Sequence, residues 1–400
     1  MLLAVLSLAL ATSATVQERN PLNPCFIEFY NADFTTAIAC FERELKSKSG
    51  DPRAYNHVAE AILYKQLFIH GALESELVSS TNPFLRTPKI KVPPAIASRF
   101  KQLIKKSLSL SQAELKENPR DVSALYALGV AHGLSANYKF LIDKDWTGAL
   151  HDAKADQNAN EKILDIDPNF VDAHLVTGLY QYLIGSLPFY MRTLGFLGGF
   201  GAGNRQQGIR EIEEVSRKGI LDPYGADMLL CVIFRREHEP QKALPILKTL
   251  AAHFPRNYLF LFEEVEMYSD LGKKQAALHV LDQIETLRRQ NAPGYGRVPL
   301  AKVAYLRANL LFWYNDLGQA LTSLKTATNM NNDLDRRTRT MAWLRLGQVY
   351  DLKGDRQQAV QAYHEAMRTE PHSAAAAQAK GYISNPYRRE HGKADANQVN

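Results

Sequence analysis

Residues 342–371 read AWLRLGQVYDLKGDRQQAVQAYHEAMRTEP, and this stretch decides the fold. Trp343, Leu346, Gly347 and Tyr350 recur at helical spacing and define one face of a first helix. Gly354 and Asp355 break the pattern. Ala359, Tyr363 and Ala366 then mark one face of a second helix. Pro371 ends it, because proline cannot continue a helix past its first turn. Gly347 and Ala359 are expected where the two helices cross, with Trp343 and Tyr350 filling the space above and below.

The order W-x2-LG-x2-Y, then A-x3-Y-x2-A, then P resembles the tetratricopeptide (TPR) signature. A repeat must recur. The second-helix alanine Ala359 has equivalents at Ala320, Ala277 and Ala243. Ala243 and Ala277 are 34 residues apart, the TPR period. The next two spacings, 43 and 39, are longer. The turn-rich stretch Asn291–Pro299 and the polar run Asn329–Asp335 absorb the excess as loops. Four units therefore cover 223–371.

The N-terminal half is looser. Helix pairs are expected around Ala37 and Phe41, from Tyr55 to Ile62, from Leu125, and from His174 through Gly178 and Tyr182. Two stretches interrupt them, near 71–94 and 185–204. The expectation is an all-α, TPR-type solenoid over 20–384, a right-handed superhelix of about seven helix pairs. The polar stretch 385–400 reads as a disordered tail.

Met1–Ala11 is apolar apart from Ser7 and too short to span a bilayer. Small residues follow at Thr12, Ser13 and Ala14, so 1–14 reads as an export signal cut near Ala14, giving a periplasmic or secreted protein. No Lys or Arg precedes the run, and a greasy first helix is the other reading. With 48 Lys+Arg against 42 Asp+Glu the chain is only mildly basic, which makes no case for nucleic acid. Three cysteines lack the spacing of a metal site. Two readings are open for Cys25 and Cys40: a disulfide across the first helix pair, or Cys40 as a small core residue beside Ile38 and Phe41.

No phosphate loop, zinc-protease, nucleophile-elbow or haem motif occurs, so no catalytic residue, cofactor or metal is expected. Gly199–Gly203 precedes a helix but follows one as well, which argues against a nucleotide cradle. His57 and Glu60 share a helix turn but read as two partly exposed polar residues.

The resemblance implies a partner groove lined by the first helix of each pair. Residues between the structural positions then face it: Arg235, Lys302, Tyr305, Asn309, Trp313, Arg345 and Gln348. Arg, Tyr and Trp often anchor interfaces, although Tyr305 and Trp313 could equally pack against the preceding repeat. The partner is an unidentified protein or peptide.

The second interruption, LIGSLPFYMRTLGFLGGFGAGNRQQG at 183–208, carries Leu187, Phe189, Tyr190, Phe196 and Phe200. Over 178–209 it is similar to the eukaryotic TPR family that includes the inclusion-body clearance protein, with Gly203-Asn204-Arg205 in place of that family's Gly-Asp-Arg. No function is carried over. So apolar a stretch either plugs the concave face or meets a membrane surface or a partner. The sequence thus implies a non-catalytic adaptor, with a membrane- or lipid-associated scaffold as the alternative and an enzyme as the weakest reading.

Overall fold

The computed structural model describes residues 22–73, 89–187, 203–330 and 333–389. The expected signal segment, most of the 185–204 interruption and residues 390–400 lie outside them. Among the described residues the chain is helical, with no strand.

The helices run in order: α1 Pro24–Tyr30, α2 Phe34–Ser47, α3 Pro52–Ile69, α4 Pro94–Glu117, α5 Val122–Tyr138, α6 Trp146–Ile166, α7 His174–Gly185 and α8 Arg205–Lys218. The C-terminal half continues with α9 Pro223–Arg236, α10 Pro240–His253, α11 Tyr258–Asp270, α12 Lys274–Arg289, α13 Leu300–Trp313, α14 Leu317–Asn329, α15 Arg336–Leu352, α16 Arg356–Thr369 and α17 Ala374–Ser384. Consecutive helices pack on one another throughout. Among the described residues this makes eight hairpins and a terminal helix, against the seven or so the period implies.

Local chemistry sets the boundaries. Asp33, Asp51, Asp121, Asp145, Asp222, Asp316, Asp335 and Asp355 are N-caps whose side chains accept a backbone N–H of the first turn. The turn between first and second helix of the last four hairpins contains a left-handed residue each time: His238, Gly272, Asn315 and Gly354. The four period alanines, Ala243, Ala277, Ala320 and Ala359, are fully buried. Gly347 faces Tyr363: a Cβ there would lie 2.4 Å from Cε1 of the ring. In α7 and α8 the close approach is made by Gly178 and Gly208, where a Cβ on Gly208 would lie 2.3 Å from the carbonyl oxygen of Gly178.

The core is shared along the stack. One apolar cluster runs from α1 to α11, a second from α11 to α17, and α11 contributes to both. The first hairpin does not simply begin the stack. The N–H of Arg256 donates to Asn31 Oδ1 at 2.9 Å, and Asn257 Nδ2 donates to the carbonyl of Tyr30 at 2.9 Å. Phe68 meets Tyr258 with ring centroids 6.1 Å apart. The N-terminal helices thus close back on α9–α11.

Candidate functional site

The first helices α13, α15 and α17 lie side by side, α13 against α15 and α15 against α17. Arg345, near the middle of α15, is buried. Its Nη1 donates to Gln348 Oε1 at 2.8 Å, and its guanidinium carbon stands 4.1 Å from the Phe312 ring centroid and 4.8 Å from that of Trp313. Tyr305, Tyr382, Tyr387 and Arg389 are its electrostatic neighbours, and no carboxylate pairs with it among the described residues. Burial pushes its pKa down. Lys302 donates to Thr338 Oγ1 at 3.0 Å, with its ammonium 5.7 Å from the Tyr305 ring centroid.

Six of the seven positions that the sequence assigns to a groove therefore belong to α13 and α15, and Tyr305, Trp313, Arg345 and Gln348 form one cluster. They do not line an open trough. Lys302, Tyr305, Arg345 and Gln348 are buried, while Asn309 and Trp313 are half-buried. The physical reason is that residues facing the next first helix pack against it. Tyr305 is accordingly a packing residue. Asn309 Oδ1, Trp313 Nε1 and Arg345 Nε have no hydrogen-bond partner among the described residues.

Arg235 is held elsewhere. It is buried between α9 and α11, with carboxylates of Glu266 at 2.9 Å, Asp270 at 3.3 Å and Glu263 at 3.6 Å. Its groove assignment is replaced by a buried ion cluster.

The sequence reading missed what covers the cluster. After α17 the chain does not trail away: Asn385–Arg389 turns back across α15 to α13. The N–H of Tyr387 donates to Asp351 Oδ2 at 2.8 Å, and its ring lies 6.0 Å from Phe312 and 5.3 Å from Tyr382. Arg389 donates to Asn315 Oδ1 at 3.0 Å and to the carbonyl of Phe312, and its guanidinium carbon lies 4.8 Å from the Phe312 ring centroid. Asp351 is the anchor. It also accepts from the Tyr363 hydroxyl at 2.7 Å and from Arg356 at 2.8 Å. An expectation of disorder from 385 onward is thus corrected for 385–389. The available signal was Tyr387, an aromatic directly after a proline in an otherwise polar run.

The remaining candidates separate. His57 stacks between Phe26 and Phe41, at ring distances of 4.9 and 5.3 Å, and burial lowers its pKa to about 4. Glu60 faces the Tyr30–Asp222 pair instead, and burial followed by the Asp222 charge raises its pKa to about 8. Both are half-buried, as a pair of partly exposed polar residues would be, and they face different neighbours. Among the described residues no group of three or more His, Cys, Asp or Glu could hold a metal. Cys25 and Cys40 form a disulfide with an S–S distance of 2.00 Å, and Cys231 is free and buried. Of the five apolar residues singled out in the interruption only Leu187 is described, half-buried just past the end of α7, whereas Phe189, Tyr190, Phe196 and Phe200 lie outside the described residues.

No family model and no curated protein matches the chain. Solved structures similar to it include yeast Tom70, at 12% identity over 90% of this chain and 86% of that one with a TM-score of 0.41. A tetratricopeptide repeat protein from Parabacteroides merdae is 13% identical over 80% and 95% of the two chains, with a TM-score of 0.33. The human IFIT1 dimer with m7Gppp-AAAA is 12% identical over 89% and 78%, with a TM-score of 0.44. The hairpins, their buried alanines and their left-handed turns make the architecture plain. The chain is TPR-like. A stack of helix hairpins sets side chains of successive first helices beside one another, and on α13 and α15 these include the Phe312 and Trp313 rings and the Arg345 guanidinium.

Proposed function

We infer that this chain is a non-catalytic scaffold or adaptor that takes a protein or peptide segment along its row of first helices, at α13–α15. The observation that carries this reading is the cluster of Phe312, Trp313 and Arg345, in which two N–H groups, Trp313 Nε1 and Arg345 Nε, lack acceptors among the described residues. Unmet donors beside aromatic faces suit a ligand that brings carbonyl or carboxyl oxygens together with apolar contact. The adaptor is read as exported. Met1–Ala14 supports this by its pattern, and the Cys25–Cys40 disulfide fits an oxidising compartment.

The test is capture from an envelope fraction with the immobilised chain, comparing wild type with Trp313→Ala. Capture of a defined partner by the first and its loss in the second, at unchanged helical circular dichroism, is expected. Equal capture by both would remove the α13–α15 surface from the reading.

A second reading, a membrane- or lipid-associated scaffold, draws on the ends of the apolar interruption. Gly185 and Gly203 touch: a Cβ on Gly203 would lie 2.4 Å from the Gly185 nitrogen. The N–H of Asn204 donates to Gln181 Oε1 at 2.9 Å. The described ends on either side of the stretch thus lie together, so it can be deleted at its base. Loss of vesicle co-sedimentation on deleting 187–204 supports this reading, and sedimentation unchanged by the deletion removes it.

A further inference from the structure

We propose that Asn385–Arg389 is an intramolecular ligand, a strap that fills the α13–α15 surface in the free protein and must leave before a partner enters. The proposal rests on the reading that this surface is where a partner binds, and it adds that the surface is self-occupied.

The strap is held by few contacts. One backbone N–H, that of Tyr387, reaches the buried Asp351. One ring packs between Phe312 and Tyr382, and one guanidinium reaches Asn315 and the Phe312 carbonyl. Arg388 is exposed and Tyr387 only half-buried.

The fit beneath it is poor in a specific way. Arg345 and Arg389 both stack on the Phe312 ring, at 4.1 and 4.8 Å, so two like charges share one aromatic. Arg345 raises no ion pair among the described residues to offset this, and the Arg389 charge lowers its pKa further. Trp313 Nε1, Arg345 Nε and Arg389 Nε all lack acceptors among the described residues. Buried donors without acceptors and unpaired buried charge each destabilise a contact. A permanent cap on the end of a stack has no reason to keep them. A ligand that must be exchangeable does, because the partner that supplies the missing acceptors wins the competition.

The experiment uses fluorescence anisotropy with a labelled synthetic peptide covering residues 383–393 and the same peptide carrying Tyr387→Ala. Three full-domain proteins are titrated: the whole chain, the chain ending at Ser384, and the whole chain with Tyr387→Ala. The strap predicts that the peptide binds the shortened chain and the Tyr387→Ala chain at least tenfold tighter than the whole chain. It also predicts that the Tyr387→Ala peptide binds none of them measurably. Folded variants that fail to bind the peptide, or a whole chain that binds it equally well, overturn the proposal. Loss of helical signal in both variants identifies the segment as a permanent cap and overturns it too. The readout needs no external partner: failed capture from the envelope with peptide binding intact faults the partner surface, not the strap.

Discussion

The hydroxyl of Tyr30 donates to Asp222 Oδ1 at 2.5 Å across 192 residues of chain. Tyr30 ends α1, and Asp222 caps α9, where it also accepts the N–H of Gly225 at 2.8 Å. One carboxylate therefore ties the first hairpin to the start of the fifth. Tyr30→Phe keeps the ring among Tyr224 and Phe254 but removes the donor. The expected cost is about 1–3 kcal/mol, the penalty of a buried carboxylate oxygen losing one of its two donors. Urea denaturation measures it, and an unchanged midpoint would mean that the closure carries no stability.

The same junction predicts a pH dependence. Burial raises Glu60 to about 8 and Asp222 to about 6, from 4.5 and 3.8. A carboxyl whose folded pKa is raised stabilises the fold at low pH, and that contribution is lost as pH rises through the folded value. Asp156, raised to about 8 by burial, acts in the same direction. His57, lowered to about 4, opposes them only below its ordinary value of 6.5. Between pH 6.5 and 8 the melting temperature is therefore expected to fall. Glu60→Gln should flatten that slope and raise the melting temperature at pH 8. A slope identical to wild type would show that Glu60 is ionised in the folded state throughout.

Gly347 and Tyr363 give a test of the hairpin crossing. The ring is buried and fixed at its far end by the hydroxyl bond to Asp351, so it cannot swing away from a new side chain. Gly347→Leu is expected to destabilise by about 1–3 kcal/mol through overpacking. Because Asp351 also anchors Tyr387, the same substitution should speed tryptic cleavage after Arg388. Cleavage at the wild-type rate would separate the crossing from the strap.

These cases show what the sequence could and could not disclose. The period alanines, Gly347 and the turn glycines were legible because each repeats a steric requirement at a fixed spacing. Arg235 was not. It and Arg345 are both arginines on first helices, yet one is ringed by carboxylates and the other by aromatics, and those surroundings come from neighbouring helices rather than from their own. The closure through Tyr30 and Asp222 was hidden for a related reason. A contact made once, between distant segments, leaves no period to find. The docked Tyr387 was masked by the polar residues around it.

Arg235 carries the last prediction. Its guanidinium is 3% exposed, and Glu263, Glu266 and Asp270 around it are 10–16% exposed. Three carboxylates gathered on one helix repel one another, and the cation on α9 offsets that repulsion. Removing it leaves negative charge in a poorly solvated place, which typically costs about 3–5 kcal/mol. Arg235→Ala should therefore be among the most damaging single changes in the C-terminal half. Arg235→Lys should recover part of the loss, since a point charge cannot reach three acceptors as a planar fork does. Arg235→Met, which keeps an apolar stem without the charge, should recover less. Urea denaturation of the three variants separates the causes. A loss in Arg235→Met no greater than in Arg235→Lys would assign the role of Arg235 to packing of its aliphatic stem rather than to its charge.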